Sequence, residues 1–516
     1  MSDTATTQSH GMSRAYKVLS ITAVATFLVS LDTSIVVVAK RTITEDLGHP
    51  NLLTWVFSGY SIAYAAGLLT AGRFADVNGR KRSFLRGLAL FSIGSVLCGL
   101  APTAHFLIVA RIIQAIGGAQ LTPASLALVL PEFPVEKRTV AIGIWGAVGG
   151  LAAAVGPSAG GILVDTLGWR WMFFINVPFC IFTLIVGGRI LHESKDHSAS
   201  KHVDYVGTAL GVPGVGLVTL ALTQAGEWGW TDKATIGWLL LGLVLIAAFV
   251  RRCSTVANPL LDLSLFKLPF VVAANISGVF FSIGFLGMWL LNTFWLQAVW
   301  HYSPAKSGLA TAFGPITAAA LAAPMGRAAV RWGHSKVLML GSSLLAIGTF
   351  GLSRTLTIDP NYLTHYMPWM FITGAGVGCS ISTLSSSASA FLPPARFAMG
   401  SALNTTARQI GSALGAALAT SLTVAAMKKV EIWNGALKAL GMAASSKPVD
   451  PAKVAAAQQA VAKVSITRAG LSGYFNAYHV MAAIYLLAGV IMVLIFRAPT
   501  PEQMAAASSS KVEFDD

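Results

Sequence analysis

Gly72-Arg73-Phe74-Ala75-Asp76-Val77-Asn78-Gly79-Arg80-Lys81-Arg82 is a short, charged, glycine-punctuated turn between two long apolar runs. Its charges exclude it from the hydrocarbon of a bilayer, whereas flanking runs of about twenty apolar residues each can cross one as a helix. The turn therefore joins two crossings on one face, and its Lys and Arg place that face in the cytoplasm. A plain hydrophilic connector would explain the cations but not the Gly, Asp, Gly, Arg spacing. A second version, Gly326-Arg327-Ala328-Ala329-Val330-Arg331-Trp332-Gly333-His334-Ser335-Lys336, repeats the glycines and cations but carries Val330 where the first has Asp76. The two are too far apart to belong to one six-helix unit.

Composition agrees with a membrane protein. Of the 516 residues, 54% are hydrophobic and 11% charged, which leaves no soluble domain over. A net charge of +15 in a soluble chain would suggest nucleic acid. Here the cations concentrate in short loops, as the inside-positive bias requires, so nucleic-acid binding is not expected. Cys98, Cys180, Cys253 and Cys379 are scattered and read as small core residues, with neither a disulfide framework nor a metal-ligand spacing. The polar first sixteen residues lead into an apolar run without a small-residue cleavage site, which reads as a retained first helix.

Apolar runs long enough to span a membrane fall near 18–39, 52–71, 83–101, 105–130, 139–162 and 169–191, then 204–225 and 234–250, then 270–296, 307–325, 337–354, 364–392, 400–424 and 474–497. Six, two and six make fourteen. Loops assigned inside carry about 21 Lys and Arg against about 6 in short outside loops, so both chain ends are expected in the cytoplasm. The expected organisation is a cytoplasmic tail at 1–17, a six-helix bundle at 18–191, a linker with two extra transmembrane helices at 192–269, a second six-helix bundle at 270–497 and a cytoplasmic tail at 498–516. A long outside loop at 425–473 interrupts the second bundle, and its Ala-rich middle, 454–464, suits a surface helix.

The Gly72 turn is similar to the loop signature GxLaDrxGrkr of the major facilitator superfamily, with Phe74 in place of the usual leucine and Asn78 in place of a basic residue. The resemblance covers the whole chain, and fourteen helices point to the drug:proton antiporter branch. It implies an all-α integral membrane protein with two six-helix bundles plus an inserted hairpin, rocking about a midplane cavity. Gly72, Asp76, Gly79, Arg80 and Lys81 would form a gating loop, with Asp76 facing the first turn of the thirteenth helix near Met399 and Ala402.

Intramembrane ions need a reason, because a charge in hydrocarbon costs several kcal/mol unless it is paired or neutralised. Asp32, in Leu31-Asp32-Thr33-Ser34-Ile35, resembles the proton-binding aspartate of that branch, although Lys40-Arg41 replaces the customary Leu-Pro. Arg111, in Arg111-Ile112-Ile113-Gln114, is similar to the fourth-helix motif RxxqGxg. At 1.5 Å of rise per residue, Asp32 lies about 12 Å below Lys40 and Arg111 about 9 Å below His105, so the two can meet. Desolvation favours the protonated acid and the cation favours the carboxylate, an opposition suited to a proton-coupling pair; a static buried ion pair is the alternative. Gln114, Asn404 and Arg408 are candidates for substrate contact or coupling, while Arg408 could instead extend its cation toward the near membrane face.

Gly156, Pro157, Gly160 and Gly161 match the family's antiporter motif GPxxGG, in a helix whose small residues allow close packing. Gly411 and Gly415 repeat a small-xxx-small spacing in the thirteenth helix. Aromatics and methionines of the ninth helix, Phe280, Phe281, Phe285, Met288, Trp289 and Phe294, suit either core packing or a pocket. No HExxH, no phosphate-binding GxxxxGK and no nucleophile set is present, which argues against an enzyme or an ATP-driven pump. The resemblance implies a multi-pass, monomeric protein of the cell membrane that exports amphipathic or lipophilic small molecules in exchange for protons. It would need no cofactor or metal beyond the proton gradient. Export of an endogenous metabolite or lipid, import of a nutrient by proton symport, and a non-transporting sensor on the same fold remain the alternatives.

Overall fold

The computed structural model describes residues 2–48, 50–194, 204–257, 259–357, 359–393, 396–443, 471–497, 500 and 502. The long helices are α1 (Ser2–Ile35), α2 (Pro50–Asn78), α3 (Arg80–Gly99), α4 (Ala104–Val129), α5 (Val135–Leu167), α6 (Asn176–Ile190), α7 (Tyr205–Trp228) and α8 (Lys233–Thr255). They continue with α9 (Pro269–Phe294), α10 (Phe313–Trp332), α11 (His334–Thr355), α12 (Met367–Ser389), α13 (Phe397–Ala443) and α14 (Leu471–Ile495). Each apolar run expected as a crossing coincides with one of them. Among the described residues, nine stretches are long and apolar enough to cross a membrane on length and composition alone. The others, in α2, α3, α5, α12 and α13, are richer in Gly, Ala and Ser or carry charge at one end.

Local chemistry sets the helix ends. Gly79 (φ 103°) and Gly333 (φ 93°) take the left-handed backbone that separates α2 from α3 and α10 from α11, a conformation a Cβ resists. Thr103, Asp204 and Asp232 cap α4, α7 and α8 by accepting from the backbone N–H of Phe106 (3.2 Å), Gly207 (2.9 Å) and Ala234 (2.8 Å). Such caps are worth about 1 kcal/mol each.

Three boundaries differ from expectation. α1 begins at Ser2, so most of the stretch expected as a polar tail at 1–17 continues the helix. The first crossing ends as an α-helix at Ile35, passes through a 3-10 turn at Val36–Ala39 and continues as a short helix, Lys40–Leu47. Lys40 and Arg41 are too polar to prolong a span, and the short helix is tied down instead. Its Asp46 accepts from the Trp169 indole (3.0 Å) and the Arg170 guanidinium (2.6 Å), bonds that hold its carboxyl below the ordinary carboxylate value. At the third boundary, α13 runs on to Ala443, so the first part of the expected outside loop is helical. Residues 444–470, including the surface helix expected at 454–464, and the tail from 503 lie outside the described residues.

Helix packing repeats between the halves. Gly156 and Gly160 of α5 seat against Ser34 and Ile35 of α1, and Gly411 and Gly415 of α13 seat against the carbonyls of Val279 and Ile283 on α9. Without a hydrophobic driving force between helices in lipid, this backbone approach supplies the association through van der Waals contact. Between the halves, Gly72 of α2 meets the first turn of α13, and Gly326 of α10 meets Thr139 near the start of α5. At this end, which carries the Gly72 loop, one apolar core is continuous across both bundles and includes Ala75, Phe133, Phe270, Leu392, Phe397 and Ala402. Toward the opposite end the cores separate, one around Phe173 in the first bundle and one around Trp295 in the second.

The inserted hairpin breaks the repeat. Gly216 of α7 faces Ala66 and Ile62 of α2, Val218 and Leu222 pack with Ala413 of α13, and Trp230 donates to Ser421 at 2.8 Å. Thus α7 covers the seam between α2 and α13. An Arg252–Asp204 ion pair of 3.0 Å binds the end of α8 to the start of α7.

Candidate functional site

Asp32 is fully buried, and its carboxylate is the centre of a polar network inside the first bundle. One oxygen pairs with Arg111; the other accepts from Gln114 Nε2 (2.8 Å) and Asn176 Nδ2 (3.2 Å). Gln114 Oε1 in turn accepts from Arg111 Nη1 at 2.6 Å, and Ser95 Oγ accepts from Gln114 (2.7 Å) and Asn176 (3.1 Å). The Arg111 guanidinium lies 4.1 Å from the centre of the Tyr60 ring, so its other face is met by an aromatic quadrupole. Four helices, α1, α3, α4 and α6, supply the bonds. Removing one partner of such a pair costs about 3–5 kcal/mol, because the other charge is left buried.

A cavity of about 460 Å³ lies between the bundles, walled by α1, α2, α4 and α5 on one side and α9, α12, α13 and the Pro304–Thr311 turn on the other. Asp32 is not in its wall; Ser30, Thr33 and Ser34, on the same turns of α1, are. Thr33 and Ser34 hydroxyls bond back to the carbonyls of Val29, Ser30 and Leu31, so the helix satisfies its own polar groups there. A second link runs through α2, where Tyr60 stacks on Tyr64 at 6.0 Å and Tyr64 reaches the wall, hydrogen-bonded to Thr122 at 2.7 Å.

The structure thus divides the expected residues. Asp32, Arg111 and Gln114 come together, whereas Asn404 and Arg408 line the cavity from the second bundle. Of the ninth-helix aromatics, Phe285 and Trp289 face the cavity, while Phe281 and Met288 are buried in the core.

The loop residues form a separate cluster. Asp76 accepts from Arg80 Nη2 at 3.1 Å, both side chains are almost wholly buried, and Arg80 also donates to the Ala127 carbonyl at 3.4 Å. Lys81 Nζ donates to the Gly188 carbonyl at 2.8 Å. Glu193 accepts from the backbone N–H groups of Lys81 (3.0 Å) and Arg82 (3.1 Å), placing an anion at the start of α3. A Cβ on Gly79 would strike that carboxylate at 2.5 Å. In the GPxxGG stretch α5 stays helical through Pro157, and Gly161 faces Ala305 of the second half.

Tyr60, Ser95, Asn176 and Glu193 were not singled out from the sequence. Asn176 offered a signal, as a lone amide in an apolar run; Tyr60, Ser95 and Glu193 are ordinary residues whose role arises from placement.

The family model described as Major Facilitator Superfamily matches residues 22–416 and 276–460. Puromycin resistance protein pur8 of Streptomyces alboniger is 34% identical over 79% of this chain and 82% of its own length. A multidrug resistance protein B homolog of Mycobacterium tuberculosis is 30% identical over 94% of this chain and 90% of its own. Among solved structures, that of the human organic anion transporter MFSD10 aligns with a TM-score of 0.60 at 12% identity, covering 93% of this chain and 99% of that one, a likeness of fold.

Proposed function

The chain belongs to the Major Facilitator Superfamily and is a drug-efflux transporter of the cell membrane, and from that premise we propose that it works as a proton-coupled antiporter. Its substrates are amphipathic or lipophilic small molecules, its energy source is the proton gradient without a cofactor, and it acts as a monomer with both termini in the cytoplasm. The observation that carries this reading is the Asp32 network, buried on the same turns of α1 that line a cavity shared by both bundles.

With the Gly72 end in the cytoplasm, as its cations suggest, the continuous apolar core closes the cytoplasmic side. Protonation of Asp32 from outside removes the charge that holds Arg111, Gln114 and Asn176 together. α1 and α5, locked at Ser34–Gly156 and Ile35–Gly160, then shift as one body and reshape the wall at Ser30, Thr33 and Ser34. Substrate leaves outward. On the cytoplasmic side, substrate binding favours the deprotonated arrangement and releases the proton. The cycle needs only that each ligand bind the two orientations with different affinity.

The gating residues act at the cytoplasmic seal. Gly72 brings α2 against the first turn of α13, and Arg80 holds the Asp76 carboxylate one turn further along α2, from where that carboxylate would act on the positive end of α13. A helix-end contact is worth about 0.3–2 kcal/mol, enough to bias two orientations severalfold. In inverted vesicles with an acid lumen, the protein should accumulate an amphipathic dye, and collapse of the gradient should release it. Accumulation driven by an alkaline lumen would instead make it an importer.

A further inference from the structure

The cavity wall contains serines, threonines, amides and aromatics, and among the described residues Arg408 is its one formally charged side chain. The fully buried guanidiniums of the first bundle have acceptors, Arg80 in Asp76, Arg111 in Asp32 and Arg138 in the carbonyls of Leu130 and Phe133, whereas Arg408 is half-buried at the cavity. Arg408 has no ion-pair partner among the described residues, and its Nε is buried without a hydrogen bond. The same holds for Asn404 Nδ2, one turn earlier on α13 and itself 4% exposed, and for Ser401 Oγ a further turn back. All three line the cavity from one helix face. Gly278 of α9 makes room for the arrangement, since a Cβ there would lie 3.3 Å from Arg408 Cγ and 3.6 Å from Asn404 Nδ2.

A row of unmatched donors headed by a guanidinium is an anion site in want of an acceptor. A cation would find the reverse: no carboxylate lies in the wall, and the Asp32 oxygens are occupied by Arg111, Gln114 and Asn176 behind it. Seven residues beyond Gly278 on the same face of α9, about 10 Å along its axis, Phe285 enters the wall, with the Trp289 ring 6.3 Å from it.

We propose that this transporter selects amphiphiles bearing an acidic group, which pairs with Arg408 and Asn404 while Phe285 and Trp289 hold an aromatic body about 10 Å away. The proposal deepens the exporter reading and rests on it for the direction of transport alone.

The test uses three probes with one aromatic body: pyrenebutyrate, its uncharged amide, and a pyrenylbutyl trimethylammonium cation. Binding to the purified full-length protein is followed by tryptophan-to-pyrene energy transfer at fixed pH and salt. The acid should bind about tenfold or more tighter than the amide, and the cation weakest. Arg408→Gln should bring the acid-to-amide ratio close to one, and Arg408→Lys should restore most of it, which separates a charge effect from a folding defect. Equal or tighter binding of the cation, no binding of any probe, or an acid-to-amide ratio unchanged in Arg408→Gln would overturn the proposal. Charge-selective binding without proton-driven uptake of the acid in inverted vesicles would contradict the exporter reading and leave the anion site standing.

Discussion

The two loops that join the second and third helices of each bundle share a backbone and differ in what they bind. Gly79 and Gly333 hold nearly the same left-handed geometry, and Gly72 and Gly326 each admit a helix of the other bundle at close range. In the first loop, a buried Asp76–Arg80 pair and the Glu193 carboxylate complete the turn. In the second, Val330 is 48% exposed against 2% for Asp76, and His334, in the place of Arg80, packs between Phe391 (5.2 Å) and Phe496 (5.8 Å). The duplicated backbone therefore serves the bundle-to-bundle contact on both sides. Among the described residues the buried ion pair is confined to the first loop, on the side where α7 also covers the seam.

The sharpest way to break this asymmetry is Asp76→Ala. It leaves Arg80 buried beside an apolar methyl, so a loss of about 3–5 kcal/mol is expected, read as a large fall in melting temperature in detergent. The milder Asp76→Asn keeps the fold but should cut transport and raise labelling of a cysteine placed near Ala402. Normal transport with unchanged labelling would reduce the loop to a charged connector.

Gly79→Ala and Gly333→Ala sharpen the comparison at equal backbone strain. Each forces a Cβ into the left-handed region at about 1–2 kcal/mol. Only at Gly79 does the new methyl also meet Glu193, while at Gly333 it meets nothing within 4 Å. The first variant should melt below the second by several degrees, and equal melting temperatures would mean that the Glu193 cap contributes nothing. The smallest effect belongs to Val330→Ala, expected within about 0.5 kcal/mol and with transport retained, as for a surface residue.

Much of this was legible in the sequence because membranes impose length and charge rules that short loops obey. The fourteen apolar runs, the meeting of Asp32 with Arg111 and the close packing of the fifth helix follow from helical rise and small-residue spacing, whereas its partner, α1, emerges only from the fold. The polar outer end of α1 was harder, since Lys40 and Arg41 signal only that the span stops and not that the chain folds back through Asp46 onto Trp169 and Arg170. The continuation of α13 beyond 424 was hidden by its mixed composition. Gln114 was a candidate for substrate contact or coupling, and its bond to Asp32 sets it apart from Asn404 and Arg408 at the cavity; sequence separation does not tell which side of a helix faces a cavity. Asn176 stood out only as a lone amide in an apolar run, and Ser95 joins the network through three-dimensional placement that no local pattern marks.

Proton coupling through Asp32 is tested most directly by Asp32→Asn in inverted membrane vesicles with an acid lumen, following accumulation of an amphipathic dye at matched protein levels. The substitution keeps the shape and most of the hydrogen bonding while removing the titrating charge. Dye accumulation should fall to the level of vesicles without the protein, although the variant remains folded in the membrane. Undiminished gradient-driven accumulation would contradict the assignment of Asp32 as the proton-binding group.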